Sequence, residues 1–320
     1  MMNARFAFVV RRVLLTVPVL FVMSVIVFLI IRLVPGDPVR TMLGFRATEA
    51  NVIEIRSQLG LDQPLVVQYL DFVGGIFRGD LGTDIVSKAS LSELLAQRLP
   101  VTFELTGLAM ILAIAIGVPL GVRAANGGRR IRRLTEGFVI LGISIPDFWL
   151  GIMLVLVFAA TLGIFPPSGY IPFVDDPVQN LRYMALPVLT LAVGEAAYFL
   201  RTTRAAVEGV LARPFVGFLR AKGLSERRIV GGHALRNAAP TIITVIGIQV
   251  GVLLGGAVII ETLFALPGVG RLIVTAITQR NYPTIQIGVL AIAAIFILVS
   301  LVTDLVVGML DPRVADGAST

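Results

Sequence analysis

Long apolar runs are the feature that most constrains what this chain can fold into. Six of them have lengths typical of a transmembrane helix, which needs about 20 apolar residues to cross roughly 30 Å of hydrocarbon. Because an unpaired backbone group is costly in lipid, such runs fold as helices with internal hydrogen bonds. The runs are residues 13–31, 105–122, 137–163, 184–200, 238–260 and 285–303. The sequence therefore predicts an all-α polytopic membrane protein with six transmembrane helices.

Composition supports a membrane protein and argues against other classes. Of the 320 residues, 56% are hydrophobic and 15% are charged, against roughly 45–50% and about 25% in soluble domains. The basic residues lie in short loops between the apolar runs and form no stripe with aromatic residues, so no nucleic-acid partner is expected. The absence of cysteine excludes thiolate metal sites and cysteine nucleophiles.

Nucleotide chemistry finds no support in the sequence either. A Walker A loop needs a lysine directly after a glycine, and neither Lys88 nor Lys222 follows one. The single histidine, His233, lies in a predicted cytoplasmic loop, so no histidine metal site or Ser/His dyad is expected at membrane depth. We therefore predict a transport subunit that is not an enzyme, with no catalytic residues, no metal and no cofactor of its own.

The distribution of Lys and Arg predicts the orientation of the chain. With both termini in the cytoplasm, 17 of the 27 basic residues lie on the cytoplasmic side, as the positive-inside rule requires. The first run is too long for the core of a signal peptide, so we expect a retained span. The predicted units are the tail and first span at 1–32, an extracytoplasmic segment at 33–100, a five-helix core at 101–310 containing a cytoplasmic loop at 201–237, and a cytoplasmic tail at 311–320.

Local signals predict short helices in the extracytoplasmic segment. Thr48 is a candidate cap for a helix that stops at Gly60, and Pro64 opens a second helix that ends near residues 74–75. Residues 90–93, Ser-Leu-Ser-Glu, have the pattern of a capping box at the start of a third helix.

Charged residues inside the spans are candidates for function because their burial in lipid is costly. Asp147 follows Pro146 near the middle of the third span, where proline predicts a kink or local unwinding. Asp147 either lines a pathway or pairs with a buried arginine or backbone amide. Glu195 is also a candidate for the pathway, but it lies near the basic end of its span, so we favour a pair with Arg201 or Arg204 over contact with solute.

The fifth span carries further polar and small residues. Glu261, at its outer end, is a candidate for an outer gate, while Thr244 and Gln249 are candidates to face the pathway. Small residues that recur every four positions let helices approach closely. They predict helix packing, within the chain or against a partner subunit, at Gly247, Gly251 and Gly255.

The cytoplasmic loop contains a short helix with an apolar face. Phe215, Phe218 and Leu219 are spaced i, i+3, i+4, and Gly223 is a candidate to end the helix. Such a face suits the groove of a partner protein. It suits equally an interfacial helix that rests its aromatic rings on lipid.

The same loop resembles a known family. Residues 220–228, Arg-Ala-Lys-Gly-Leu-Ser-Glu-Arg-Arg, and 233–237, His-Ala-Leu-Arg-Asn, are similar to the EAA-type loop of permeases in binding-protein-dependent ABC importers of the oligopeptide/dipeptide type. Segments in the same order at 32–38, 59–65, 79–82, 145–151, 186–191, 261–270 and 310–313 extend the resemblance over nearly the whole chain. The early first span and the long segment after it resemble the B-type subunit of such systems. The chain departs from the family at Gly217-Phe218-Leu219, where an Arg-Thr-Ala triplet is common, and at Pro214, where an acid is common.

The resemblance implies a type I ABC importer permease fold and a set of partners. These are a second, C-type permease, two ABC ATPase subunits or one fused ATPase that bind the ATP, an extracytoplasmic solute-binding protein and the lipid of a prokaryotic plasma (inner) membrane. The implied ATPase-coupling residues are Phe215, Phe218, Leu219, Arg220, Ala221, Lys222, Gly223, Leu224, His233, Arg236 and Asn237.

The solute and the transport class stay open at this point. Peptides are the solute that the resemblance favours, while nickel, glutathione or a sugar are alternatives within the same family. An ion-coupled secondary transporter would use Asp147, Glu195 and Glu261 as carboxylate relays, but we find no repeat symmetry of the kind such folds often have. A purely structural membrane scaffold is a third class.

Overall fold

The structure is a computed structural model that describes residues 2–33, 39–40, 44, 47–58 and 60–310. The side chains of residues 2–7, 30–33, 55, 58 and 310 are not among those described. Most of the motif at 32–38, most of the motif at 310–313 and the predicted tail at 311–320 therefore lie outside the described residues.

The described chain is helical. Its helices are α1 Met2–Leu33, α2 Glu49–Gln58, α3 Leu65–Arg78, α4 Leu91–Asn126, α5 Arg129–Ser144, α6 Asp147–Leu154, α7 Pro177–Leu211, α8 Pro214–Ala221, α9 Leu235–Leu263, α10 Val269–Thr278 and α11 Tyr282–Leu310. A π-helical segment, Val155–Thr161, continues α6. A single helical turn, Glu226–Arg228, and a second π-helical segment, Ile229–Ala234, lead without interruption into α9.

Within the described residues, five helices are long and apolar enough to cross a membrane, and a bent pair supplies a sixth crossing if it counts as one span. The pair is α5 with α6 and its π-helical extension, and the two parts meet at an angle of 99°. The predicted break is therefore confirmed, and it is a right-angle bend instead of a kink. Ile145 and Pro146 have extended backbone, because proline has no N–H to donate and disfavours helical geometry in the residue before it.

The described helices that contain the predicted runs all begin before those runs, and α7 and α4 show how. Helix α7 starts at Pro177, seven residues before the predicted span, because Asp176 accepts hydrogen bonds from the N–H groups of Val178 and Gln179 and proline is favoured at the first helical position. Helix α4 runs through Pro100. The predicted boundary between the extracytoplasmic segment and the core at residue 100 thus lies inside a continuous helix.

The largest contact in the fold joins α4 and α7. A methyl group at Gly117 of α4 would lie 2.5 Å from the carbonyl oxygen of Ala196, and one at Gly121 would lie 2.7 Å from Cβ of Thr203. Only glycine lets the two backbones approach this closely. Side chains of α4, α7 and α9 fill the core around this contact. The largest of them are Leu105, Met184, Leu186, Phe199, Leu253 and Ile260.

The predictions for the outer segment are confirmed in part. The N–H of Asn51 donates to Oγ1 of Thr48 at 3.3 Å, which is the predicted cap of α2. Helix α3 continues past residues 74–75 to Arg78. The capping box was wrong, because Ser90 makes no side-chain cap bond. Ser90 instead pairs with Thr83 in an antiparallel bridge that keeps its backbone extended.

A buried carboxylate joins the outer segment to the start of α11. Oδ1 of Asp84 accepts from the N–H groups of Val86 and Ser87 and from the Ser87 hydroxyl, and Oδ2 accepts from Asn281 and Thr284 at 2.6 and 2.7 Å. Burial alone would raise the pKa of Asp84. The hydrogen bonds from Ser87, Thr284 and Val86 outweigh burial, so the pKa lies below its ordinary value of 3.8.

We expect Gly117→Ala to destabilise the protein because its new methyl group meets the α7 backbone. Overpacking of this kind costs about 1–3 kcal/mol. Gly107→Ala is the matched control on the same helix, where an added methyl meets nothing within 4 Å. Thermal unfolding in detergent measures both variants. Equal melting temperatures for the two would contradict the proposed close contact.

We expect the stability that Asp84 contributes to depend on pH. A carboxyl whose folded-state pKa is lowered stabilises the fold above its unfolded pKa of about 3.9, and that contribution is lost as pH falls through the folded pKa. The melting temperature of wild type should therefore exceed that of Asp84→Asn by a constant amount above about pH 5, and the difference should shrink below about pH 4. Asp62→Asn, at an exposed aspartate, controls for the substitution itself. A difference that grows on acidification would overturn this assignment.

Candidate coupling helix and translocation pathway

Helix α8 is a short, well-terminated helix on the surface of the molecule. Pro214 occupies its first position, where the missing N–H costs nothing. Gly223 has a left-handed backbone with φ +81°, and the N–H of Leu224 donates to the carbonyl of Leu219 at 3.2 Å. This is the bonding pattern of a Schellman motif, which glycine favours. The sequence prediction that Gly223 ends the helix is confirmed.

The exposed face of α8 carries two phenylalanines. Phe215 is 37% exposed and Phe218 is 60% exposed. Val216, which the sequence analysis did not single out, is fully buried where α8 contacts the π-helical segment before α9. Leu219 lies between the two sides and is half-buried. The exposed apolar face is therefore narrower than predicted and consists of the two rings.

Charged side chains around α8 interact within the chain. The guanidinium of Arg220 donates to both carboxylate oxygens of Glu226, at 2.7 and 3.4 Å. This exposed ion pair spans the Gly223 turn and connects α8 to the next helical turn. The ammonium of Lys222 lies 4.6 Å from the centre of the Phe218 ring, a cation–π distance. The exposed face of α8 is thus aromatic and positively charged.

The other predicted coupling residues flank α8. Ala221, Arg236 and Asn237 are exposed, and Leu224 and His233 are half-buried. The Asn237 amide donates to the backbone carbonyl of His233 at 2.8 Å. A buried apolar cluster lies beneath this region and joins the end of α7 to the start of α9. Its buried members are Val207, Val210, Val230, Ala234, Ala238 and Ile242.

Asp147 lies where α5 and α6 meet, between α7 and α9. A methyl group added at Gly194 of α7 would lie 3.3 Å from its Oδ1, and one added at Gly256 of α9 would lie 3.9 Å from its Oδ2. The side chain is half-buried. No arginine or backbone amide is hydrogen-bonded to it among the described residues, so the structural pairing considered above is not formed.

Glu195 does not pair with arginine, which corrects the sequence prediction. Its Oε2 accepts from Nε2 of Gln249 at 2.8 Å, and both side chains are buried. Arg204 is nine residues further along α7 and, at 100° per residue, points to the opposite side of the helix. Arg204 instead bonds Glu136 and Glu208, at 3.1 and 3.0 Å. Arg201 lies over the ring of Tyr198.

The two polar candidates on α9 have different environments. Gln249 is turned inward toward Glu195, whereas Thr244 is exposed and donates to the carbonyl of Pro240 in its own helix. Thr244 belongs to an exposed stripe that runs the length of α9. The stripe consists of Thr241, Thr244, Ile248, Val252, Gly255, Ile259 and Thr262.

Two of the three glycines predicted to pack on α9 do so within the chain. Added methyl groups at Gly247 and Gly251 would collide with Thr303 and Phe296 of α11, while Gly255 has open space beside it. Close packing is confirmed for the first two glycines, and their partner is α11.

Glu261 is fully buried at the junction of α4, α9 and α10. Its Oε1 accepts from Thr102 at 2.6 Å, and its Oε2 accepts from the N–H of Arg271 at 3.0 Å. Thr102 in turn accepts from the N–H of Val269 at 2.9 Å. Glu261 therefore binds the N-terminus of α10, where a helix favours negative charge.

Sequence reasoning did not single out Glu104, a carboxylate of α4. Glu104 precedes the predicted second span by one residue, and its Oε2 accepts from the hydroxyl of Tyr170 at 2.7 Å. The predicted outer segment ended at Pro100, although the helix continues through it. The position of Glu104, four residues after this proline, was the available signal that it belongs to the same helix as the second span. Among the described residues no group of three or more acidic, histidine or cysteine side chains is placed to hold a metal ion.

Two known protein families match parts of this chain. Residues 117–316 match the family described as the binding-protein-dependent transport system inner membrane component, and residues 5–106 match the N-terminal component of such systems. The chain belongs to this family. The predicted permease is thereby confirmed as a multi-pass inner-membrane component. Family membership favours a binding-protein-dependent system over an ion-coupled transporter or a scaffold.

Curated relatives match the permease over almost its whole length. A putative peptide transport system permease protein of Brucella abortus is 39% identical, with 96% of this chain and 98% of the relative covered. The dipeptide transport system permease protein DppB of Escherichia coli K12 is 36% identical, with the same coverage.

Solved structures support the fold of the permease. A chain of the inward-facing MetNI methionine ABC transporter aligns with a TM-score of 0.54 at 19% identity and covers 68% of this chain and 96% of its own. An amino acid ABC transporter solved with histidines gives 0.52 at 18% identity and covers 72% and 99%. The predicted type I importer permease fold is confirmed.

We expect Thr102→Val to destabilise the permease, because it removes both hydrogen bonds that join α4 to Glu261 and to α10. A buried charged group that loses its donor costs about 1–3 kcal/mol or more. Thr106→Val is the matched control one turn later, since its hydroxyl bonds only backbone carbonyls of its own helix, those of Thr102 and Phe103. Thermal unfolding should show a clearly larger loss for Thr102→Val. Equal losses would contradict the structural role of Glu261.

Proposed function

We propose that this chain is the transmembrane permease subunit of an ATP-driven importer for di- or oligopeptides, in which it forms half of the translocation pathway. The names of the relatives support peptides as the solute, since those aligned over nearly the whole chain are peptide and dipeptide permeases. Nickel, glutathione or a sugar are the alternatives that a transport assay must exclude.

The proposed complex contains a second, C-type permease, two ABC ATPase subunits or one fused ATPase, and an extracytoplasmic solute-binding protein. ATP binds to the ATPase partners, and both termini of this chain lie in the cytoplasm. The excess of basic residues in the loops that contain Arg123–Arg133 and Arg201–Arg236 supports this orientation.

The observation that carries the proposal is the exposed aromatic face of α8. Phe215 and Phe218 project from a helix whose other side is held by buried Val216, and the backbone bonds at Gly223 define the turn that follows. Aromatic side chains on a rigid support are the usual anchors of protein interfaces. In the proposed mechanism α8 docks on an ATPase, and closure of the ATPase pair on ATP displaces α8. The permease then shifts from an inward-facing to an outward-facing population.

Two side chains are proposed to line the pathway. Asp147 is a half-buried carboxylate at the broken span, without a hydrogen-bonded partner in the described part of the chain. A carboxylate in that position would attract the ammonium group of a peptide. Thr244 lies on the exposed stripe of α9, which makes that stripe the proposed wall of the pathway. Glu195, Gln249 and Glu261 support the helices around it.

We expect Phe218→Asp, and the double variant with Phe215→Asp, to abolish ATP-driven uptake. Placing carboxylates in the docking face should weaken ATPase binding by more than about 1.4 kcal/mol, which is tenfold. The assay reconstitutes the complete complex in vesicles and follows a labelled dipeptide, while copurification of the ATPase is measured in parallel. Phe173→Asp is the matched control, because Phe173 is 53% exposed in the loop between α6 and α7.

Uptake by the double variant in vesicles that lack ATPase would refute the proposed importer. Loss of ATPase copurification in the Phe173 control as well would refute the docking site. Binding protein loaded with peptides should stimulate ATP hydrolysis, and stimulation by a sugar or nickel instead would reassign the solute.

A further inference from the structure

Helix α3, in the segment between α1 and α4, has three distinct faces. Toward the protein it buries Gly75 and packs Tyr69 and Phe72. A second face is apolar and exposed, and its residues recur every three or four positions along the helix. Its members are Val66 at 70% exposure, Leu70 at 61% and Phe77 at 87%, with half-buried Val73 between them.

The third face of α3 is polar. Asp71 and Arg78 lie about 100° around the helix from Leu70 and Phe77, and both are exposed. Val67 lies on the same side. Helix α3 therefore contacts protein with one face and exposes an apolar face and a charged face. This is the pattern of a helix that lies in the surface of a bilayer.

Contacts with α1 set the depth of α3. The apolar run of α1 ends at Ile31. The Tyr69 hydroxyl is hydrogen-bonded to Oγ of Ser24 at 2.7 Å, and the Tyr69 ring packs edge-on against Phe28. Ser24 lies seven residues inside the end of this run, which is about 10 Å below it at 1.5 Å per residue. Interfacial helices bury their apolar face about 5–10 Å into the boundary of headgroups and acyl chains.

The neighbouring surface of α1 faces the same environment. Only 11% of its apolar window is buried, and Phe21, whose ring meets the Tyr69 ring edge-on, is 57% exposed. The exposed stripe of α3 therefore continues an apolar surface that already belongs to a membrane-spanning helix. We propose that α3 is an interfacial helix whose Val66–Leu70–Phe77 stripe is covered by lipid acyl chains, in the outer leaflet if the orientation proposed above is right.

The absence of cysteine from the chain allows a direct test with single-cysteine variants carrying an environment-sensitive fluorophore. The apolar positions are Val66→Cys and Leu70→Cys. Their matched controls are the adjacent positions Val67→Cys and Asp71→Cys. The complete transport complex is reconstituted in phosphatidylcholine bilayers with lipids brominated near the headgroup end or near the middle of the acyl chain.

We expect shallow bromines to quench the probes at residues 66 and 70 at least about twofold more strongly than those at 67 and 71, with weaker quenching by deep bromines. Equal quenching at adjacent positions would overturn the proposal. Protection of residues 66 and 70 in detergent only when the binding protein is added would overturn it in favour of a protein partner. Two positions on each face keep the test valid if one variant fails to insert. The comparison does not depend on solute or ATPase, so it can fail while the proposed transport function stands.

Discussion

The backbone contact between α4 and α7 is the interaction on which the rest of the structure depends. Glycine at positions 117 and 121 removes the side chains that would separate the two helices, and in lipid such close packing replaces the hydrophobic driving force available in water. The shared core of α4, α7 and α9 forms around this contact. The bent pair α5–α6 packs on α7 from one side, which places Asp147 against Gly194.

Three buried carboxylates connect further parts of the fold, and each accepts hydrogen bonds from neutral donors. Glu195 bonds the amide of Gln249, Glu261 bonds a hydroxyl and a backbone N–H, and Asp84 bonds an amide, hydroxyls and backbone N–H groups. Each of these carboxylates joins two segments that are distant in sequence. None of these three carboxylates is hydrogen-bonded to an arginine side chain in the described residues. Arginine side chains bond other carboxylates, as Arg204 does with Glu136 and Glu208 near the end of α7.

Sequence reasoning succeeded where a single physical rule dominates. Length and hydropathy predicted the spans, Pro146 predicted the break, and Gly223 predicted the end of α8. It failed where partners come from distant segments. Nothing in the pattern around Glu195 indicates Gln249, 54 residues away, and the proximity of Arg201 and Arg204 in sequence was misleading. Phe215 and Phe218 were recognised as one face, but the burial of Val216 depends on the π-helical segment, which the pattern does not reveal.

The uninterrupted course of the chain from Glu226 to Leu263 has a mechanical consequence. These 38 residues form one helical body, about 55 Å long at 1.5 Å per residue. Helix α8 adjoins one end of this body through the Arg220–Glu226 pair, and the Glu261–Thr102 junction lies at the other. Between these two ends, Gly247 and Gly251 pack closely against Thr303 and Phe296 of α11. If docking at α8 tilts this helical body, the tilt would reach the Glu261–Thr102 junction at its other end. The continuous helix thus provides a direct mechanical connection between the two ends of the permease.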